Sequence, residues 1–299
     1  MKPHTWLITG ASGLIGTALT HALVQKGTKV RTLGRTKRAV HPLAEGFVWN
    51  PETRLFPAEA LDGVEVVVHL AGANVGQRWT PSHKKAIMES RTAGTSLLCD
   101  ALKKKGFQGT FIQASAVGLY GECTSAATEE SPTGEGFLAQ VAHAWEQSAA
   151  VHLPTSTRQV VMRLGIVLSP NGGTLDRLLP IYRLGLGAPL GKGSQCMSWI
   201  HVDDVVRFVQ HAATTATAHG AFNLVAPERV PNAQFSSVLA KCLGRPHFAP
   251  SVPAWALRLV LGEMATIVLA SQNVVPDKLL KEGFQWRHPA LKEALLDCI

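Results

Sequence analysis

A turn with glycines at three-residue intervals, Gly10-Ala11-Ser12-Gly13-Leu14-Ile15-Gly16, constrains this chain more than any other stretch. It follows four residues of strand character, Trp6-Leu7-Ile8-Thr9, and opens a helical pattern over residues 14–26 that stops at Gly27. A strand that passes this abruptly into a helix needs residues without Cβ atoms, both to turn and to let backbone approach backbone or ligand. The first turn of the helix offers unpaired N–H groups and the positive end of the helix dipole, which suit a pyrophosphate. The stretch therefore predicts a dinucleotide site built from Gly10, Ser12, Gly13, Leu14, Ile15 and Gly16. It predicts binding and is silent on chemistry.

Strand-like and helix-like segments then alternate. Residues 29–33, 47–49, 64–70, 111–115 and 159–164 read as strands, and 81–105 and 136–150 as helices. The run Val64-Glu65-Val66-Val67-Val68-His69-Leu70 is nearly continuously apolar, as in a parallel strand covered on both faces. The succession predicts an α/β fold, a doubly wound, Rossmann-like parallel sheet occupying mainly residues 1–168. Right-handed crossovers place Thr9, Leu33, Leu70, Ser115 and Leu164 along the sheet edge where ligands bind. Past Ser169 the alternation breaks down. Residues 169–299 are expected to form a smaller, mixed and mainly helical lobe facing the substrate, with strands returning to the main domain. Within it, 250–299 is a C-terminal extension.

Composition narrows the function classes. A chain of 299 residues, 46% hydrophobic and 17% charged, buries enough surface to fold without a metal or disulfide. Its five cysteines lack zinc or redox spacing, which predicts reduced thiols in a cytoplasmic or similarly reducing compartment. The chain passes directly into a strand, and no charge-free apolar run is long enough to span a bilayer, so neither a signal peptide nor a membrane partner is expected. The net charge of +8 is dispersed and lacks an aromatic-plus-basic motif, so nucleic acid is not the expected partner. Two long helices are as compatible with a homodimer as with each covering its own sheet.

The end of the second strand selects the cofactor. An acidic residue there would accept bonds from a ribose 2′-hydroxyl and repel a 2′-phosphate. The chain instead has Arg35, with Lys37 and Arg38 beside it. A guanidinium pairs bidentately with phosphate, each charge-assisted bond contributing about 1.5–3 kcal/mol. NADP is the expected cofactor. Leu70, Ala71 and Gly72 end the next strand with mostly small residues along the dinucleotide path. Asn74 could bond a ribose or cap a helix, and Ser115 lies where the nicotinamide ring is expected.

Taken with Arg78-Trp79-Thr80, Ser90-Arg91, Trp145-Glu146, Arg183-Leu184-Gly185-Leu186-Gly187 and Trp199-Ile200-His201-Val202-Asp203-Asp204, these segments resemble the extended short-chain dehydrogenases/reductases. That broad family contains nucleotide-sugar epimerases and dehydratases, and the likeness is to its atypical epimerase-like branch with a C-terminal extension. The resemblance covers essentially the whole chain. It implies a serine, a tyrosine and a lysine four residues after the tyrosine, the lysine lowering the phenol pKa so that the tyrosine exchanges a proton with substrate during hydride transfer. Ser115 matches the serine. The pair is missing: Thr124 follows Tyr120 by four and Leu186 follows Tyr182 by four. At the helix start expected to carry the pair, Phe137 and Gln140 stand in its place, and neither supplies the proton or the positive charge.

Tyr120, five residues after Ser115, is the remaining candidate acid, either relaying a proton or packing above the nicotinamide. Ser115 and Tyr120 are thus the candidate catalytic residues. Arg163 and Arg183 could meet an anionic substrate or serve internal ion pairs. His201 joins them as a substrate-side residue because the resemblance places its segment beside the substrate loop. His201, Asp203 and Asp204 look like metal ligands but fit a helix cap, so no metal is expected. The expectation is an atypical NADP-dependent oxidoreductase or epimerase-like enzyme acting on a small carbonyl or hydroxyl compound. A non-catalytic NADP sensor or partner-binding protein is the alternative.

Overall fold

The computed structural model describes residues 4–299. Seven strands form one sheet in the spatial order Gly220–Leu224, Arg158–Leu164, Thr110–Ala116, Val64–His69, Thr5–Thr9, Lys29–Gly34, Glu45–Val48. Every pairing in it is parallel. The order reverses direction at Thr5–Thr9, so a crevice opens between that strand's carboxyl end and that of Val64–His69. The sheet is the doubly wound, Rossmann-like architecture the alternation predicts. Its seventh strand, Gly220–Leu224, is the segment that returns from the second half. Gly-Ala-Phe-Asn-Leu is short and carries no β-branched residue, so nothing local announces it as a strand.

The helices follow their local chemistry. Pro81–Lys105 begins with Pro81 at its first position and with Thr80 accepting a hydrogen bond from the His83 N–H at 3.2 Å. It ends at Gly106, whose φ of 66° is left-handed, after three lysines that favour the negative end of the dipole. Leu97, Leu98 and Leu102 pack from this helix under the sheet with Leu7, Val67 and Phe111. On the other face, Leu14–Gln25 and Val202–Thr214 cover Ile8, Val68, Ile112 and Phe222.

Three small two-stranded pairings lie outside this sheet. Ile166–Leu168 pairs with Trp199–His201, Cys196–Met197 with Val230–Pro231, and Cys123–Ala127 with Gln272–Val274. The last inserts a strand into the otherwise helical tail. Among the described residues, no helix is long and apolar enough to cross a membrane.

A buried polar chain locks the crevice. The Thr9 hydroxyl oxygen accepts the backbone N–H groups of Leu70 and Ala71, each at 3.2 Å, and its hydrogen points to His69 Nδ1 at 2.7 Å. His69 Nε2 then donates to Thr95 at 2.9 Å, and Thr95 donates to the Arg91 carbonyl at 2.6 Å. This order of donors requires a neutral imidazole. Burial, aided by the nearby Arg91 charge, pushes the His69 pKa down to about 3.

Two predictions follow from this packing. A Cβ at Gly16 would lie 2.4 Å from the Gly10 carbonyl oxygen. Gly16→Ala therefore lowers unfolding stability by roughly 1–3 kcal/mol, measured by urea denaturation; an unchanged midpoint overturns the packing argument. Because His69 binds a proton more weakly folded than unfolded, its contribution is complete above pH 6.5 and declines as pH falls from there towards 3. At pH 5.5 the loss is about 1.4 kcal/mol relative to neutral pH. Denaturation of wild type and His69→Gln at both pH values isolates it, and an equal acid sensitivity in the two proteins contradicts it.

Candidate active site

The crevice leads into a continuous cavity of about 1050 Å³. Gly10, Gly13, Leu14, Ile15 and Gly16 wall one end, with Leu70 beside them and Ser115 further in. The glycine turn is built for close approach. Gly10 has φ of +68°, and a Cβ on it would lie 2.8 Å from the Leu70 carbonyl. Gly13 caps the following helix with no side-chain bond, so the first N–H groups face the crevice free of a capping group. These features fit the diphosphate of a dinucleotide: a cradle that any side chain would fill, below a helix N-terminus.

Arg35 lies just past Gly34 at the end of its strand and is exposed, as are Lys37 and Arg38. Ser12 is also exposed, on the turn itself. Ala71 is held by its N–H on Thr9, and Gly72 lies against Arg91, with a Cβ there 3.0 Å from the guanidinium carbon. Asn74 does not cap the following helix, whose N-cap is Thr80. Its side-chain oxygen accepts the Gly76 N–H at 2.8 Å, so it turns its own loop.

Ser115 is buried at the end of its strand and donates to Glu146 Oε1 at 2.6 Å. Glu146 comes from the helix Phe137–His152 and is gripped on both oxygens by Arg163, at 3.0 Å each. Arg163 also donates to the Tyr120 hydroxyl at 2.8 Å and to the Glu129 carbonyl at 3.0 Å. The expectation of Arg163 as a substrate contact gives way to this internal ion pair, because its donors are already directed at protein acceptors.

Tyr120 is corrected by the same network. Its ring is buried, its hydroxyl donates to Asn223 at 2.7 Å, and it is not part of the cavity wall. Burial raises its pKa above the ordinary 10 despite the adjacent Arg163. The phenol is therefore neither placed nor tuned to relay a proton. Phe137, standing where the resemblance puts a tyrosine, does line the cavity, edge-on to Trp79 at 5.0 Å between ring centroids.

The other substrate-side candidates lie elsewhere. Arg183 is exposed and outside the cavity wall. His201 is 1% exposed beneath the helix it begins, with Nδ1 accepting the Asp203 N–H. Asp204 caps the tail rather than its own helix, accepting the N–H groups of Arg287 and His288 at 2.6 and 3.0 Å. His201, Asp203, His288 and Asp297 bring ligand atoms within 4.8 Å of one another. Since Nδ1 of His201 already accepts a hydrogen bond, its Nε2 carries the proton, and that removes the lone pair a cation would need. The cluster fastens the C-terminal tail to the start of Val202–Thr214.

Sequence reasoning missed His69, Glu146 and Arg91 as site-building groups. Arg91 donates to the carbonyls of Ala73 and Ile87, lies 4.8 Å over the Trp145 ring, and is lowered by burial to a pKa of about 10. The available signal was position: His69 ends a strand, and Glu146 lies nine residues into the helix that faces Ser115's strand.

Residues 6–224 match the model of the NAD dependent epimerase/dehydratase family, and residues 252–298 match a domain of unknown function, DUF1731. An epimerase family protein of Mycobacterium bovis, Mb2239, is 39% identical over 291 residues, covering 96% of this chain and 95% of its own. The chloroplastic SDR39U1 homolog of Arabidopsis thaliana is 35% identical over 297 residues, covering 96% and 84%. The crystal structure of human epimerase family protein SDR39U1 (isoform 2) with NADPH superposes with a TM-score of 0.88 at 33% identity, covering 98% of both chains. The glycine cradle, the reversal of strand order beside it and these matches together place the chain in the NAD dependent epimerase/dehydratase family, with a DUF1731 domain at its C-terminal end.

Proposed function

We propose that this protein is an NADP-dependent oxidoreductase, atypical within its family, acting on a small carbonyl or hydroxyl compound held beside Ser115. The carrying observation is that one cavity joins the Gly10–Gly16 cradle to Ser115. Arg35 supports NADP over NAD, since an exposed guanidinium at the end of the second strand suits a 2′-phosphate. The NADPH in the human SDR39U1 structure supports the same choice. The cradle backbone, Leu70 and Arg35 would hold the cofactor, which when bound supplies or accepts the hydride.

Ser115 takes over the proton-side work. Its hydroxyl hydrogen is directed to Glu146, leaving the oxygen's lone pairs to accept a bond from a substrate hydroxyl. Rotated, the same hydroxyl donates to a substrate carbonyl. Arg163 positions Glu146 for either state and keeps its charge compensated. Tyr120 and Asn223 support Arg163 from below. Five free cysteines suit a reducing compartment.

A second reading, cofactor binding without turnover, is favoured by Phe137 in the tyrosine's place. Screening oxidised and reduced cofactor against aldehydes, ketones, alcohols and sugar nucleotides separates the two: product formation supports the enzyme, and NADPH binding without any product supports the sensor.

Arg35→Ala weakens NADPH binding about 10- to 100-fold, the equivalent of about one charge-assisted hydrogen bond, and leaves NADH binding little changed. Fluorescence titration of both nucleotides reads this, and an equal loss for both removes the case for NADP. Once turnover is in hand, Ser115→Ala lowers it by roughly 10²- to 10⁴-fold. Tyr120→Phe instead costs about 1–3 kcal/mol of stability through its unpaired neighbours and keeps turnover per folded molecule. A Tyr120→Phe protein that is stable but inactive would restore the phenol to the mechanism.

A further inference from the structure

We propose that the chamber beyond the dinucleotide cleft takes an uncharged aldehyde or ketone carried on a hydrophobic body, rather than a nucleoside-diphosphate sugar. This deepens the oxidoreductase reading above and rests on it for the position of the hydride. Past Ser115 the cavity wall includes Trp79, Phe137, Leu138, Leu186, Ile267 and Val268, with Phe137, Leu138 and Ile267 packed around Trp79. Such walls bury hydrocarbon and return nothing to a charged group.

A diphosphate brings negative charges that need cationic donors when they leave water. Among the described residues, only Lys84 and Arg91 supply cations to the cavity wall. The Lys84 ammonium is paired with Glu263 and lies 5.0 Å from the centre of the Phe137 ring. Arg91 is committed to the carbonyls of Ala73 and Ile87 beneath Gly72, on the cofactor side. The other charged groups in the wall, Glu122, Glu135 and Glu263, are acidic, and none of them attracts a diphosphate. Arg163 and Arg183, the remaining cations named for an anionic substrate, do not reach the chamber.

The mouth has the same character. Ile181 and Leu186 belong to the wall yet are 48% and 63% exposed, an apolar rim where a diphosphate site would carry a basic one. The two rim residues are joined by the Leu186 N–H donating to the Ile181 carbonyl at 3.2 Å, and the loop that follows is held where the Val252 carbonyl accepts the Gly191 N–H at 2.8 Å and the Asn232 side-chain oxygen accepts the Leu190 N–H at 2.7 Å. The chamber wall is thus preformed, with the C-terminal domain supplying its Ile267–Val268 side.

The test is calorimetric titration of the NADPH-loaded full chain with 2-undecanone and with UDP-glucose. The ketone is expected to bind and UDP-glucose to give no binding heat. Leu186→Asp, at an exposed position that tolerates charge in the fold, weakens the ketone at least tenfold and leaves NADPH affinity unchanged. Binding of UDP-glucose, absence of ketone binding, or equal ketone affinity in Leu186→Asp overturns the assignment. Because the readout is binding, a protein that holds the ketone but never reduces it upholds the chamber's chemistry while overturning the oxidoreductase reading.

Discussion

The crevice depends on two backbones held closer than side chains allow. Gly10 lies against the Leu70 carbonyl, and the Thr9 hydroxyl ties Leu70 and Ala71 to the end of the first strand. Neither contact survives a different neighbour: a Cβ at Gly10 would push the second strand end away, and a Thr9 without its His69 acceptor would lose its orientation. Everything downstream, from the free N–H groups at the start of Leu14–Gln25 to the cavity beyond, takes its position from this junction. A buried neutral histidine is what makes it rigid, because its two nitrogens bridge the strand to the long helix Pro81–Lys105 in one fixed order of donors.

A second network does for the far end of the cavity what the first does for the near end. Ser115, Glu146, Arg163, Tyr120 and Asn223 form one connected set spanning three sheet strands, a helix and the loop between them. Its charges compensate one another, so it can be partly buried without leaving an orphan. It continues into the tail: Asn223 donates to the Val275 carbonyl, and Glu129 accepts the N–H groups of Asn223 and Lys278. The C-terminal domain is therefore fastened to the same polar set that orients Ser115. The orientation of Ser115 and the attachment of the tail share their anchors.

Much of the frame was legible from residue order. The alternation of apolar strands and amphipathic helices predicted the sheet and most of its strands, since both periodicities are local. The long helix over residues 81–105 was read to its ends because Thr80, Pro81 and Gly106 are local signals. The third strand was displaced, Glu45–Val48 rather than 47–49, because an edge strand has only one neighbour to fix its extent. Gly220–Leu224 went unnamed because its strand character comes from pairing with Arg158–Leu164 rather than from its own side chains. Tyr120, Arg163 and His201 were read from position along the chain. Which way Tyr120 and Arg163 turn is set by partners 17 to 103 residues distant, such as Glu146 for Arg163 and Asn223 for Tyr120.

The sequence alone determined that the chain turns on glycines into a helix suited to a diphosphate, and that the usual tyrosine–lysine pair is absent. These are statements about residue type and spacing, which need no folding to be read. The tertiary structure decided how the neighbouring side chains are arranged: that Tyr120 is sealed beneath Arg163, that Glu146 faces Ser115, and that the tail contributes apolar side chains to the cavity wall. Hydrogen bonds and burial depend on distances between segments separated along the chain, and only the packing of those segments sets them.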